Sequence, residues 1–119
     1  MTAQRVSTSL PFVATYQEGA VLEALGDPTR RAIFELLGEQ PYAVGQLAAR
    51  LPVSRPAVSQ HLKVLKQAGI VTDRAHGTQR IYQLDHVGLA HLRAYLDHIW
   101  TNALDAFKQA AETAVEEES

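Results

Sequence analysis

The chain has 119 residues, 46% of them hydrophobic and 20% charged, with a formal net charge of -2; this fits one globular domain able to bury its own core. It contains no cysteine, so disulfides, thiolate metal sites and cysteine nucleophiles are excluded. The opening "MTAQRVSTSL" lacks the apolar segment of a signal peptide and no run of 18 apolar residues occurs, so a cytoplasmic protein without membrane contact is expected.

Residues 1–15 are aperiodic and rich in Ser and Thr, which predicts a mobile tail. A short helix follows, with Val21, Leu22 and Leu25 as its apolar residues, ending near Gly26. "GDPTRRAIFELLG" reads as a complete helix. Asp27 caps it, Pro28 takes the first helical position, Ile33, Phe34 and Leu37 form the apolar face, and Gly38 closes it. "EQPY" is expected as a loop and "AVGQLAARL" as a third helix, with Val44, Leu47, Ala48 and Leu51 inward and Pro52 as its stop.

"PVS" then turns the chain into "SRPAVSQHLKVLKQAGIV", where Ser54 is a good N-cap, Pro56 is tolerated in the first turn and Gly69 ends the helix. Two short helices joined by a tight turn form a helix-turn-helix. "IVTDRA" and "QRIYQL" read as strands around "HGT", a β-hairpin with Gly77 in its tip. From Asp85, a plausible cap, one long helix runs to about Ala114 and an acidic end.

Charge is unevenly placed along this order. Residues 54–84 carry Arg55, Lys63, Lys66, Arg74 and Arg80 against Asp73 alone, while residues 85–119 carry two cations against seven acids. A partner feels the field within about 10 Å at moderate salt, so the near-neutral total does not exclude an anionic partner of the middle third.

At about 100° per residue, Val58, Leu62 and Leu65 define the buried side of the basic helix, with Ala57, His61, Val64 and Ala68 along its edge. The opposite side holds Arg55, Pro56, Ser59, Gln60, Lys63, Lys66 and Gln67, and no acid. A merely solvated face usually mixes signs for pairing one turn apart. Cations suit phosphates, and Ser and Gln can both donate to and accept from base edges. Arg74 and Arg80 flank the hairpin tip, so two cations are expected to project together beside the helix, far enough to reach a backbone or the minor groove; a local pair of Arg74 with Asp73, or a cross-strand contact of Arg80, is the plainer use of each. A helix-turn-helix followed by a basic hairpin is a winged helix, which lays its second helix in the major groove.

Other functions fit less well. An interaction module that had lost DNA binding would carry acids or large apolar residues on the free helix face. An enzyme would need a phosphate loop or a paired nucleophile, and neither pattern is present. RNA binding would call for aromatic residues among the basic ones.

"EALGDPTRRAIFELLG", "VGQLAARLPVSRPAVSQHLKVLKQAGIV" and the hairpin ending "RIYQL" together resemble the ArsR family of bacterial winged-helix transcriptional regulators, over about Glu18 to Trp100. The resemblance implies a mainly α fold with a small β-hairpin: a winged helix-turn-helix over 16–84 and a C-terminal dimerisation helix over 85–119. It also implies a homodimer that binds double-stranded operator DNA, represses transcription and is released by an effector. The DNA contacts that carry over are Ser54, Arg55, Ser59, Gln60, Lys63 and Lys66, then Arg74 and Arg80. His61, a common residue at this place in the family, is assigned to packing or to a phosphate-adjacent position.

In the last helix Leu92, Leu96, Ile99, Ala103 and Phe107 recur at spacings of three and four, and Leu89, Trp100 and Leu104 widen the stripe. That is more apolar surface than a small domain covers by itself, so Leu92, Leu96, Ile99, Trp100, Ala103 and Phe107 are expected at a two-fold interface, which also sets two reading helices about one DNA turn apart.

Metal sensing, which the resemblance also brings in, is not expected. One family pattern needs cysteines where this chain has Ala43 and Gly45. The other is met by Asp85 and His98, but Val87 and Thr101 stand at its remaining ligand positions. Two ligands of four do not close a tetrahedral site. A metal-responsive repressor using His91 and His98, with Asp85, is kept as the alternative, and no cofactor is expected.

Overall fold

The computed structural model describes residues 16–118, so the expected N-terminal tail over 1–15 lies outside the described residues. In chain order the elements are α1 (Tyr16–Ala24), α2 (Pro28–Glu39), β1 (Tyr42–Ala43), α3 (Val44–Arg50), α4 (Arg55–Gln67), β2 (Val71–His76), β3 (Gln79–Leu84) and α5 (His86–Glu118). The three strands form one antiparallel sheet in the order β1-β3-β2.

The local signals act as their chemistry dictates. Asp27 accepts a hydrogen bond from the Arg30 N–H at 3.0 Å, and Pro28 occupies the first turn, where no N–H is needed. Ser54 Oγ accepts from the Ala57 N–H at 3.3 Å and starts α4. At the other end Gly69 takes φ 86°, the Ile70 N–H reaches the Leu65 carbonyl and the Gly69 N–H reaches that of Lys66. This Schellman closure satisfies two orphan carbonyls. Asp85 Oδ1 accepts from the N–H groups of Val87 and Gly88 and starts α5.

Three expectations are corrected. α2 does not stop at Gly38 but runs to Glu39, and Gln40 ends it in extended geometry. The cause is Pro41, whose ring disfavours helical backbone at the residue before it. "EQPY" is not wholly loop, because Tyr42 and Ala43 pair with Tyr82 and Ile81 of β3. A strand of two residues is too short to show an alternating pattern, and its partner lies far along the chain. α5 also continues past Ala114 to Glu118.

The core is a single cluster. Ile33, Leu47, Val58, Leu62, Leu65 and Ile70 are fully buried, with Val21, Leu37, Tyr42 and Val71 nearly so. Burying a side chain of this kind is worth about 1.5–3 kcal/mol. Of the three apolar residues expected in the first helix, Val21 enters the core and Leu22 is exposed. The core thus draws one face from each short helix and holds α4 by its apolar stripe, leaving the other side of α4 to solvent.

α5 joins this body only at its start. The Asp85 N–H donates to the Ile70 carbonyl at 2.9 Å, and Gly88 is buried against the backbone of Gly69. Leu89 and Leu92 pack on the core, but every described residue from Ile99 onward is exposed.

Candidate nucleic-acid interface

The expected reading face is built on α4. Its buried stripe is 0% exposed at Val58, Leu62 and Leu65. Arg55, Ser59, Gln60, Lys63 and Lys66 all lie on the exposed side, with Ser54 exposed at the N-cap. Long polar side chains are therefore presented from a helix whose back is fixed, which suits a rigid head entering a groove.

Arg55 leans back over the first turn of α3. A Cβ at Gly45 would lie 3.4 Å from its guanidinium carbon, at ordinary contact distance, so the cation sits against the start of α3. Between this point and the hairpin lies a shallow cleft of about 220 Å³, walled by Arg55 and Arg80 and by Thr78 and Gln79 near the hairpin tip. Thr78 and Gln79 were not singled out from the sequence. The only signal for them was their place in the tip "HGTQ".

The hairpin is tight. Gly77, at φ 64°, and Thr78 make a two-residue link between His76 and Gln79, a geometry that favours glycine. Ala75 pairs with Arg80 and Arg74 with Ile81. Because successive side chains point to opposite faces of a strand, Arg74 and Arg80 stand on opposite faces of the ribbon. They do not project together beside α4: Arg80 shares the face of Asp73 and Tyr82, and Arg74 is exposed on the other.

Of the two plainer uses weighed for the wing cations, the cross-strand contact of Arg80 is present and the local pair of Arg74 with Asp73 is not. Asp73 pairs with Lys66 Nζ at 2.7 Å and Arg80 Nε at 2.6 Å, and its side chain is only 5% exposed. The hydrogen bonds from Lys66 and then Arg80 hold its carboxyl below the usual carboxylate range, and the same contact raises the pKa of Arg80. Alternation along β2 and β3 could have found the Arg80 half of this cluster; the Lys66 half depends on how α4 docks against the sheet.

His61 sits at the edge of the buried stripe. Its Nδ1 lies 3.5 Å from Arg30 Nη1 and 4.0 Å from Asp27 Oδ2. Arg30 is itself held by the Ala24 carbonyl, to which its Nε donates at 2.7 Å. The backbone N–H of Arg30, ahead of the charges of Arg30 and His61, keeps the Asp27 carboxyl below its ordinary value. This cluster ties α4 to the start of α2 and keeps His61 on the packed side.

In α5, Leu92 is half-buried against the core, whereas Leu96, Ile99, Trp100 and Phe107 are 47%, 45%, 65% and 73% exposed, and Ala103 is exposed. The stripe expected at an interface is therefore mostly bare in the single chain. Of the residues weighed as metal ligands, Asp85 is engaged as the helix cap, His98 Nε2 lies 3.1 Å from Asn102 Nδ2, and His91 is exposed. Among the described residues no three His, Asp or Glu side chains converge as a metal-holding group. Nor is any helix among them long and apolar enough to cross a membrane.

Comparison with known proteins agrees with this arrangement. The sequence profile described as bacterial regulatory protein, arsR family, matches residues 27–73, from the cap of α2 to Asp73. The HTH-type transcriptional regulator Rv2034 of Mycobacterium tuberculosis is 63% identical over 87 residues, covering 73% of this chain and 81% of that protein. The HTH-type transcriptional repressor SmtB of the same species is 40% identical over 97 residues, covering 82% of this chain and 64% of that one. The solution structure of the homodimeric winged helix-turn-helix DNA-binding domain of Mb0332 from Mycobacterium bovis superposes with a TM-score of 0.62 at 27% identity, covering 75% of this chain and 82% of that one. The first two relatives are named as a transcriptional regulator and a transcriptional repressor, and the third is described as a possible ArsR-family transcriptional regulator. A winged helix-turn-helix with α4 backed by the buried core, matched at this level of identity, places the chain in the arsR family of bacterial regulatory proteins.

Proposed function

We propose that the chain is a homodimeric, sequence-specific DNA-binding repressor that leaves its operator when an effector binds. One observation carries this reading. The solvent side of α4 is acid-free and its apolar stripe is fully buried, so the surface of α4 that a groove can meet is the one bearing Arg55, Ser59, Gln60 and Lys63. Arg55, Lys63 and Lys66 supply phosphate contacts, Ser59 and Gln60 read base edges, Ser54 donates at the helix start, and Arg74 and Arg80 meet the backbone from the two faces of the wing. The bare stripe of α5 supports self-association, and the homodimeric neighbour and the relatives named as repressors support the same reading.

The test is selection of bound sequences from random duplex DNA, followed by salt titration of two variants. Loss of one phosphate contact lowers the salt slope by about 1 and weakens all duplexes alike, while loss of a base contact costs about 1–3 kcal/mol at one position. Lys63→Ala is expected to behave in the first way and Gln60→Ala in the second. Wild-type affinity of both variants for both the selected and a scrambled duplex overturns the proposal.

A further inference from the structure

Asp73 lies beneath two cations that come from different elements. Lys66 belongs to the last turn of α4, Arg80 to β3, and Asp73 itself to β2. Asp73 stands opposite Tyr82, so Arg80, two residues before Tyr82, is its diagonal neighbour on the same face of the ribbon. The carboxylate is 5% exposed, whereas Lys66 and Arg80 are 53% and 57% exposed. An anion approaching from solvent therefore meets the cations first. Arg80 reaches Asp73 through Nε, which leaves the two terminal nitrogens of the fork for another acceptor, and Lys66 uses one of its three donors.

We infer that Asp73 is a positioning residue for DNA: it fixes Lys66 and Arg80 as one unit that takes a single backbone phosphate and joins the reading helix to the wing. The inference rests on the proposal that the chain binds duplex DNA. It runs against simple electrostatics. Asp73 is the only acid in the basic middle third, and by charge alone its removal would tighten binding to a polyanion. Both cations also belong to long side chains whose rotamers are costly to order. An enclosed carboxylate that holds them before binding removes part of that cost, and a surface carboxylate that merely competed with phosphate would have no reason to be enclosed.

The experiment measures affinity for a mixed-sequence duplex at several salt concentrations, since a phosphate contact does not depend on sequence. Asp73→Asn keeps the shape of the side chain and removes one negative charge per protomer. It is expected to bind on the order of tenfold more weakly than wild type, as a lost charge-assisted contact implies. In a Lys66→Ala, Arg80→Ala background the same change is expected to matter by less than about twofold, because its targets are gone. Arg80→Lys, an exposed position that keeps its charge but loses the fork, is expected to weaken binding as Asp73→Asn does, and it decides the matter if Asp73→Asn does not fold. Equal or tighter binding by Asp73→Asn makes Asp73 a bystander or a competitor and overturns the inference, as does an undiminished effect in the double-alanine background. A wild-type protein that binds no duplex overturns the DNA-binding proposal, and this inference with it.

Discussion

Gly88→Ala separates the helix preference of one residue from the packing that surrounds it. A Cβ at Gly88 would stand 2.0 Å from the Gly69 carbonyl oxygen, 3.0 Å from its carbon and 3.3 Å from the Ile70 Cα. Ordinary contact begins near 3.4 Å, so the oxygen and the new methyl group must part by about 1.4 Å, and every atom in the way is backbone. Neither side yields easily. Gly69 is the left-handed closure of α4, and Ile70 accepts the Asp85 N–H. Helix propensity favours Ala over Gly by about 1 kcal/mol at most in this position. Overpacking costs about 1–3 kcal/mol or more, and a displaced hydrogen bond about another 1 kcal/mol. The net expectation is a loss of about 2 kcal/mol and a fall in Tm on the order of 10 °C. Gly19→Ala is the control, because a Cβ there meets nothing within 4 Å, and it is expected to gain up to about 1 kcal/mol. Urea unfolding at a fixed protomer concentration measures both changes. If Gly88→Ala is as stable as wild type, or tracks Gly19→Ala, the account of this junction is wrong.

Three further outcomes are expected. Charged residues in place of Ile99 and Phe107 should give monomers or aggregates in sedimentation, and a wild-type monomer at micromolar concentration would contradict the homodimer. Because the folded-state pKa of Asp73 lies below 3.8, its pairing contributes stability above that value and loses it as the pH falls further; acid unfolding of wild type should therefore be steeper below about pH 4 than that of Asp73→Asn. Calorimetric titration with zinc, nickel or cobalt should show no tight stoichiometric binding, and a tight site abolished by His98→Ala would restore the metal-responsive reading.

The parts of the structure legible in the sequence are those set by neighbours a few residues apart. Asp27, Ser54, Gly69 and Gly77 mark their own boundaries because capping and left-handed turns are local chemistry. The spacing of Val58, Leu62 and Leu65 orients α4 before any coordinate is known. What was not legible depends on segments that meet late. β1 is two residues long and exists only because β3 runs beside it. A pair of Asp73 with Arg74 was the plainer alternative for that cation, but the pleat turns those two apart and α4 brings Lys66 to Asp73. The expectation that Arg74 and Arg80 act side by side failed for the same reason: both flank the tip in sequence, while a strand sends alternate residues to opposite faces.

The length of α5 bears on how such a molecule meets a charged polymer. Glu112, Glu116, Glu117 and Glu118 lie along its last turns, exposed, and at 1.5 Å per residue they begin about 20 Å along the axis beyond Ile99. That distance is more than two screening lengths at physiological salt, where each is about 8 Å. At that salt these acids are therefore screened from the stretch around Ile99, although they count fully in the net charge. At low salt, where the screening length grows to about 30 Å, the field of these acids reaches further, and on the proposed DNA-binding reading a duplex is attracted by the basic face of α4 and repelled by this end of α5. Replacing these four glutamates by glutamine is therefore expected to speed association with duplex DNA at low salt and to change it little at physiological salt.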